Sequence, residues 1–197
     1  MSANIVHAGQ DRAPDIAAML GRAFVDDPMI RWKLRADVGA QDIARTFVAV
    51  ASAHAQLGSL LEIEGGGGAA GWLAPAQMDR FDDLVVGLTR DTLDGLTDDG
   101  AARFDEFWEW VGRHSTHESW YLDMLGIEPR QQGRGYGTAL VKHGLSLASA
   151  QGLASELTTG VPGNVGYYER LGFHVVEHDD APDGGPHVWF MRADPAI

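Results

Sequence analysis

Gln131-Gln132-Gly133-Arg134-Gly135-Tyr136-Gly137 stands between an apolar run ending at Ile127 and a segment whose apolar residues recur at helical spacing, Leu140, Val141, Gly144, Leu145 and Ala148. A strand, a glycine loop and a helix in that order predict an anion cradle. Glycine lets the backbone turn sharply and approach a ligand, and the first helical turn offers unpaired N–H groups at a positive dipole end. A phosphate or pyrophosphate fits such a site. Two familiar cradles are excluded by spacing. A dinucleotide fingerprint needs its third glycine one residue further on, and the loop of nucleotide triphosphatases needs Gly-Lys-Ser or Gly-Lys-Thr.

Elements read outward from this loop. Upstream, Glu118 to Ile127 alternates as a strand with Trp120, Leu122, Met124 and Ile127 apolar, stopped by Pro129. Gln77 to His117 reads as two helices, with Phe81, Leu84, Val85 and Leu88 on one stripe and Phe104, Phe107, Trp108 and Val111 on the other, separated at Thr97-Asp98-Asp99-Gly100. Trp108 and Trp110 cannot share one narrow stripe, so one of them is expected to line a cavity. Earlier come a strand (Asn4 to Ala8), a helix (Asp11 to Val25), a break at Asp26-Asp27-Pro28, an aromatic segment around Trp32, a helix (Gln41 to Leu57), and a hairpin across Gly65 to Gly68. That glycine run reads as a mobile turn rather than a cradle. Downstream follow a strand (Leu153 to Thr159), a short helix (Asn164 to Leu171) and strands Phe173 to His178 and Pro186 to Arg192. The pattern is α/β (α+β): a mixed central sheet of about six to seven strands flanked by helices, with a helical insertion before the central strand.

The 197 residues, 45% of them hydrophobic, suffice for one core, so residues 1–197 are read as a single domain. A net charge of −13 argues against nucleic acid and anionic membrane as partners and favours a cationic or amine-bearing one. With no cysteine there is no disulfide, thiolate metal site or cysteine nucleophile. The histidines His54, His114, His117, His174, His178 and His187 show no paired ligand spacing, so no metal is expected. No signal segment or membrane-spanning run is evident, and a cytoplasmic location is the default expectation.

Gln132-Gly133-Arg134-Gly135-Tyr136-Gly137, the upstream run Trp120 to Pro129, and Tyr167-Tyr168-Glu169-Arg170-Leu171-Gly172-Phe173 together resemble the GNAT superfamily of N-acetyltransferases, specifically from about Trp120 to Phe173. The first part of the chain loosely resembles a bacterial small-molecule branch. The resemblance implies the GNAT fold, acetyl-CoA as co-substrate, and a small-molecule or peptide amine as acceptor. It also assigns positions. Leu125 and Ile127 would offer backbone groups to the pantetheine arm and the thioester carbonyl, with Gly126 at a bulge. The N–H groups from Gly133 through Thr138, spanning Arg134, Gly135, Tyr136 and Gly137 after Gln132, would hold the pyrophosphate, with Arg130 or Arg134 adding charge.

Tyr168 matches the family tyrosine near the sulfur, where a phenol with a reference pKa of about 10 can protonate a departing thiolate if the site favours it. Tyr167 reads as packing. Many relatives carry asparagine where this chain has Val161; Asn164 either substitutes for it at the pantetheine amide or caps the short helix. Asp123 and Glu118 are the candidate general bases, each otherwise an exposed or salt-bridged carboxylate. Asp26, Asp27 and Trp32 either shape a pocket for an ammonium or form an ordinary turn beside a packed tryptophan. The function implied is direct acetyl transfer to a primary amine; the alternative is a non-catalytic coenzyme A sensor. Monomer and homodimer are both compatible with the sequence.

Overall fold

The computed structural model describes residues 3–93, 95–98 and 102–196. Its strands are β1 (Ile5–His7), β2 (Leu60–Ile63), β3 (Gly68–Leu73), β4 (Trp120–Ile127), β5 (Ser155–Thr159), β6 (His174–Asp180) and β7 (His187–Ala193). The longer helices are α1 (Ala13–Ala23), α2 (Pro28–Lys33), α3 (Ala40–Leu57), α4 (Met78–Leu93), α5 (Ala102–Gly112), α6 (Tyr136–Ala150) and α7 (Pro162–Glu169). The separator read at Thr97 to Gly100 falls partly outside the described residues, as does the side chain of Leu88. The aromatic segment after Asp27 is helical: Pro28 suits the first turn of α2, and the Asp27 carboxylate accepts from the N–H groups of Met29 (2.9 Å) and Ile30 (3.1 Å). Among the described residues no helix is long and apolar enough to cross a membrane.

Seven strands form one sheet in the order β1-β2-β3-β4-β5-β7-β6, with β4 and β5 parallel and every other neighbouring pair antiparallel. Helices cover both faces. Leu60, Ala69 and Met124 pack with α1 and α3 on one face. Leu61, Ala70, Trp72, Leu157 and Met191 pack with Leu140, Val141 and Tyr168 on the other. The helical insertion lies on the α1–α3 face, where Phe107, Trp110 and Val111 of α5 join Val188 and Phe190 of β7.

Two irregularities of β4 position the site. Opposite β3, Gly71 faces Met124 and Trp72 faces Leu122, so Asp123 is the extra residue of a β-bulge. The bulge moves the alternation by one residue: Trp120 and Leu122 pack toward α6, Met124 packs toward α1 and α3, and Leu125 and Ile127 return to the α6 face. Strict alternation, which would keep Met124 beside Leu122, is thereby corrected. Gly126 is not at the bulge. It pairs in register with Ala69, and a Cβ there would stand 2.4 Å from Leu20 Cδ2, so glycine at this point admits α1. Opposite β5, the pairing covers Trp120 to Leu122 against Ser155 to Leu157 and then ends, although both strands continue.

α6 reaches the sheet through another missing side chain. A Cβ on Gly144 would lie 2.1 Å from Cε2 of the buried Trp72 indole. Helix propensity alone predicts that Gly144→Ala gains about 1 kcal/mol. The contact with a ring hemmed in by core predicts instead a net loss of about 2 kcal/mol, to be read from urea unfolding.

Candidate active site

Gly133 (φ +77°) and Gly135 (φ +83°) hold left-handed backbone, the reason for glycine at each, and a Cβ at either would meet open space. α6 begins at Tyr136, and the N–H of Ala139 bonds back to the Gly135 carbonyl at 3.0 Å. The N–H groups of Tyr136, Gly137 and Thr138 precede that bond and have no acceptor within the helix. No acidic residue occupies this first turn, and Gln132 and Arg134 are exposed beside it. Gly137 has a different reason: a Cβ there would stand 3.0 Å from Tyr167 Oη, so Tyr167 lies under the helix start, beside Thr138. The β2–β3 turn borders the loop too, since a Cβ on Gly67 would meet Gln131 and Tyr136, and Glu128 N–H donates to the Gly67 carbonyl (3.0 Å).

Where β4 parts from β5, the edge of Met124 to Ile127 that faces away from β3 has no partner strand among the described residues. Gln132 Nε2 makes one long contact to the Ile127 carbonyl, 3.5 Å. On the β5 side, Asn164 does not cap α7. Val161 holds the cap position, and Asn164 Nδ2 donates to Thr159 Oγ1 at 3.3 Å, which places its amide at the end of β5. Tyr168 is buried edge-on to Tyr167 and Phe173 (centroids 5.0 and 5.7 Å). No described residue hydrogen-bonds its hydroxyl. Burial first, then Tyr167, Asp27 and Tyr121, push its pKa upward, so the phenol keeps its proton at ordinary pH.

A cavity of about 460 Å³ opens on the α1–α3 face, walled by α2, α3, α4, α5 and β4. Phe24, Ile30, Phe47, Phe81, Phe104, Phe107 and Trp108 make its wall apolar, and Asp27, Asp82, Asp105, Glu109 and Asp123 bring carboxylates to it. Asp82 is pushed up by burial and then by the neighbouring Asp123 charge. Asp27 is also pushed up by burial, against the opposing Ile30 N–H, Lys33 charge and Met29 N–H. A smaller hollow of about 210 Å³ contains Glu156, whose oxygens accept from Ser115, Thr116, Ser119 and Arg192. Those bonds tie the segment before β4 to β5.

Asp123 Oδ2 lies 3.0 Å from Nε2 of His54, which is fully buried, and His54 Nδ1 lies 2.8 Å from Ser59 Oγ. The imidazole stands over Gly71, where a Cβ would be 2.3 Å from Nε2, and beside Phe81 (4.5 Å). The other candidates separate. Glu118 is exposed and away from the cavity, as is Asp26; Trp32, half-buried, packs against Phe107 (5.9 Å); Asp27 and Trp108 line the cavity.

Sequence reasoning missed His54 and Lys33. His54 extends the apolar stripe Ile43, Phe47 and Val50 of α3, which was its available signal. Lys33, 4% exposed, places Nζ 4.9, 4.4 and 4.8 Å from the ring centroids of Phe104, Phe107 and Trp108. Burial lowers its pKa to about 8, against the pull of Asp27 and Asp123.

Residues 99–173 match the model of the Acetyltransferase (GNAT) family. The chain is 28% identical over 172 residues to an uncharacterised N-acetyltransferase of Schizosaccharomyces pombe, covering 80% of this chain and 68% of that protein. It is 35% identical over 65 residues to the peptidyl-lysine N-acetyltransferase YjaB of Salmonella typhimurium, a match spanning 33% of this chain and 43% of that protein. Among solved structures, one described as histone acetyltransferase HPA2 and related acetyltransferase, from Corynebacterium glutamicum, superposes with a TM-score of 0.70 at 25% identity, over 100% of this chain and 98% of that one.

A buried ammonium carries a linkage signature. Below pH 8 both the folded and unfolded states hold the Lys33 proton, and the cost of burying the charge is fully present. Between about 8 and 10.5 the folded state releases the proton while the unfolded state keeps it, so this group adds stability as pH rises. The gain is about 3 kcal/mol. Urea unfolding across this window should show that contribution in the native chain and lack it in Lys33→Met.

Proposed function

We propose that this chain, a member of the GNAT acetyltransferase family, transfers the acetyl group of acetyl-CoA directly to the primary amine of a small molecule held in the aromatic cavity. The observation that carries this reading is the parting of β4 from β5 after Leu122, between the glycine loop and the Asp123 cavity. Acetyl-CoA supplies the activated thioester. The residues fit it: the unpaired N–H groups of Tyr136 to Thr138 suit the pyrophosphate, Arg130 and Arg134 add charge nearby, and the free edge from Leu125 to Ile127 suits an amide-bearing arm. Tyr168 donates a hydrogen bond to the departing sulfur. Asp123, held by His54 through Oδ2, receives the amine proton through Oδ1, which has no hydrogen bond to a described residue.

The cavity's chemistry selects the acceptor. Among the described lining residues, five carboxylates with one cation favour an ammonium, and the aromatic wall favours an apolar body attached to it. Calorimetry should show acetyl-CoA binding, and thiol release with an amine panel should give arylalkylamines and aliphatic diamines at least about tenfold higher kcat/KM than amines bearing a carboxylate. No binding at millimolar acetyl-CoA would sink the reading. Binding without thiol release from any amine would return it to a coenzyme A sensor.

The donor and transfer parts separate by mutation. Tyr168→Phe is expected to lower kcat by about a hundredfold while leaving acetyl-CoA affinity near the native value. Gly135→Val, forced out of the left-handed region, should instead weaken acetyl-CoA binding by at least about tenfold. An unchanged kcat in the first variant removes Tyr168 from the transfer.

A further inference from the structure

The chain contains thirteen arginines and only two lysines, Lys33 and Lys142. Lys142 is exposed on α6, whereas Lys33 is buried with its Nζ boxed by Phe104, Phe107 and Trp108 on the wall of the acceptor cavity. No hydrogen bond or ion pair joins Lys33 Nζ to a described residue. An arginine in that box would bring a guanidinium that keeps its proton; a lysine brings a primary amine that can lose it, on a flexible four-carbon stem. Asp123, the bulge residue beside the opening between β4 and β5, lines the same cavity. A reactive form is accessible, since burial brings the Lys33 pKa to about 8 and a substantial fraction is neutral near that pH.

We propose that Lys33 is an internal acetyl acceptor, acetylated by its own chain when no amine occupies the cavity. This rests on the reading of the chain as an acetyl-CoA-dependent acetyltransferase. In the step, the lone pair of neutral Nζ forms a bond to the thioester carbonyl carbon and the carbon–sulfur bond breaks. The nitrogen gives up one proton to the Asp123 carboxylate and thence to water, while the sulfur takes one up. The products are Nζ-acetyl-Lys33 and the coenzyme A thiol. The modified side chain has lost its cation and extends into space an amine would use, so acetylation slows turnover of external amines.

The test is incubation of the full native chain with acetyl-CoA alone, followed by intact mass and peptide mapping. The expected result is one acetyl group at Lys33, added at least about tenfold faster than at Lys142, slowed in Tyr168→Phe and suppressed by a saturating acceptor amine. Lys142→Arg should retain the modification. Lys33 unmodified, labelled no faster than Lys142, or labelled equally fast in Tyr168→Phe overturns the proposal. Thiol release with the amine panel is measured in parallel. Release with Lys33 unmodified overturns self-acetylation alone; absence of acetyl-CoA binding overturns the acetyltransferase reading and this proposal together.

Discussion

One extra residue in β4 organises the site. Because Leu122 and Met124 oppose consecutive residues of β3, Asp123 is left over, and a bulge of this kind bends its strand and increases the local twist. Beyond it, β4 no longer follows β5, and a parallel pair that would otherwise be closed by hydrogen bonds opens after Leu122. The free strand edge, the glycine loop at the end of β4 and the cavity beside Asp123 all lie around that departure. Small residues allow the rest to close around it: Gly126 admits Leu20, Gly71 admits the His54 ring, and Gly144 admits Trp72.

Charge is distributed to match. The chain as a whole is strongly acidic, yet the start of α6 has no carboxylate in its first turn and has arginines nearby, while the cavity collects carboxylates. The helix start thus suits an anionic group and the cavity a cationic one. His54 fixes the orientation of the Asp123 carboxylate from inside the core, where a buried polar contact is geometrically demanding. Lys33 introduces a cation among the cavity carboxylates, held by aromatic faces rather than by an ion pair.

Much of this was legible along the chain because it is local. Alternation and helical spacing located the strands and helices, and the alternate glycines after an apolar run located the turn into α6. The motifs from Trp120 to Phe173 carried the resemblance to GNAT acetyltransferases, and the matching family model spans residues 99–173. Asp27 was placed among pocket candidates by its residue type, and Trp108 or Trp110 by the width of one helical stripe; the structure brings Asp27 and Trp108 to the wall. Trp32 and Glu118 have equally suggestive residue types, but one is packed away and the other faces solvent. Local pattern does not determine which face of the assembled layers a residue meets.

By itself, the sequence determined the mixed α/β architecture, the helical insertion, the glycine turn into α6 and the acidic character, since periodicity, turn chemistry and charge are properties of neighbouring residues. Tertiary structure alone decided that the bulge falls at Asp123 rather than Gly126, that Asn164 bonds Thr159 instead of capping α7, that His54 meets Asp123 and that Lys33 lines the cavity. A bulge exists only relative to the register of a partner strand. A lysine becomes buried, and its amine less basic, only when helices distant in sequence close over it.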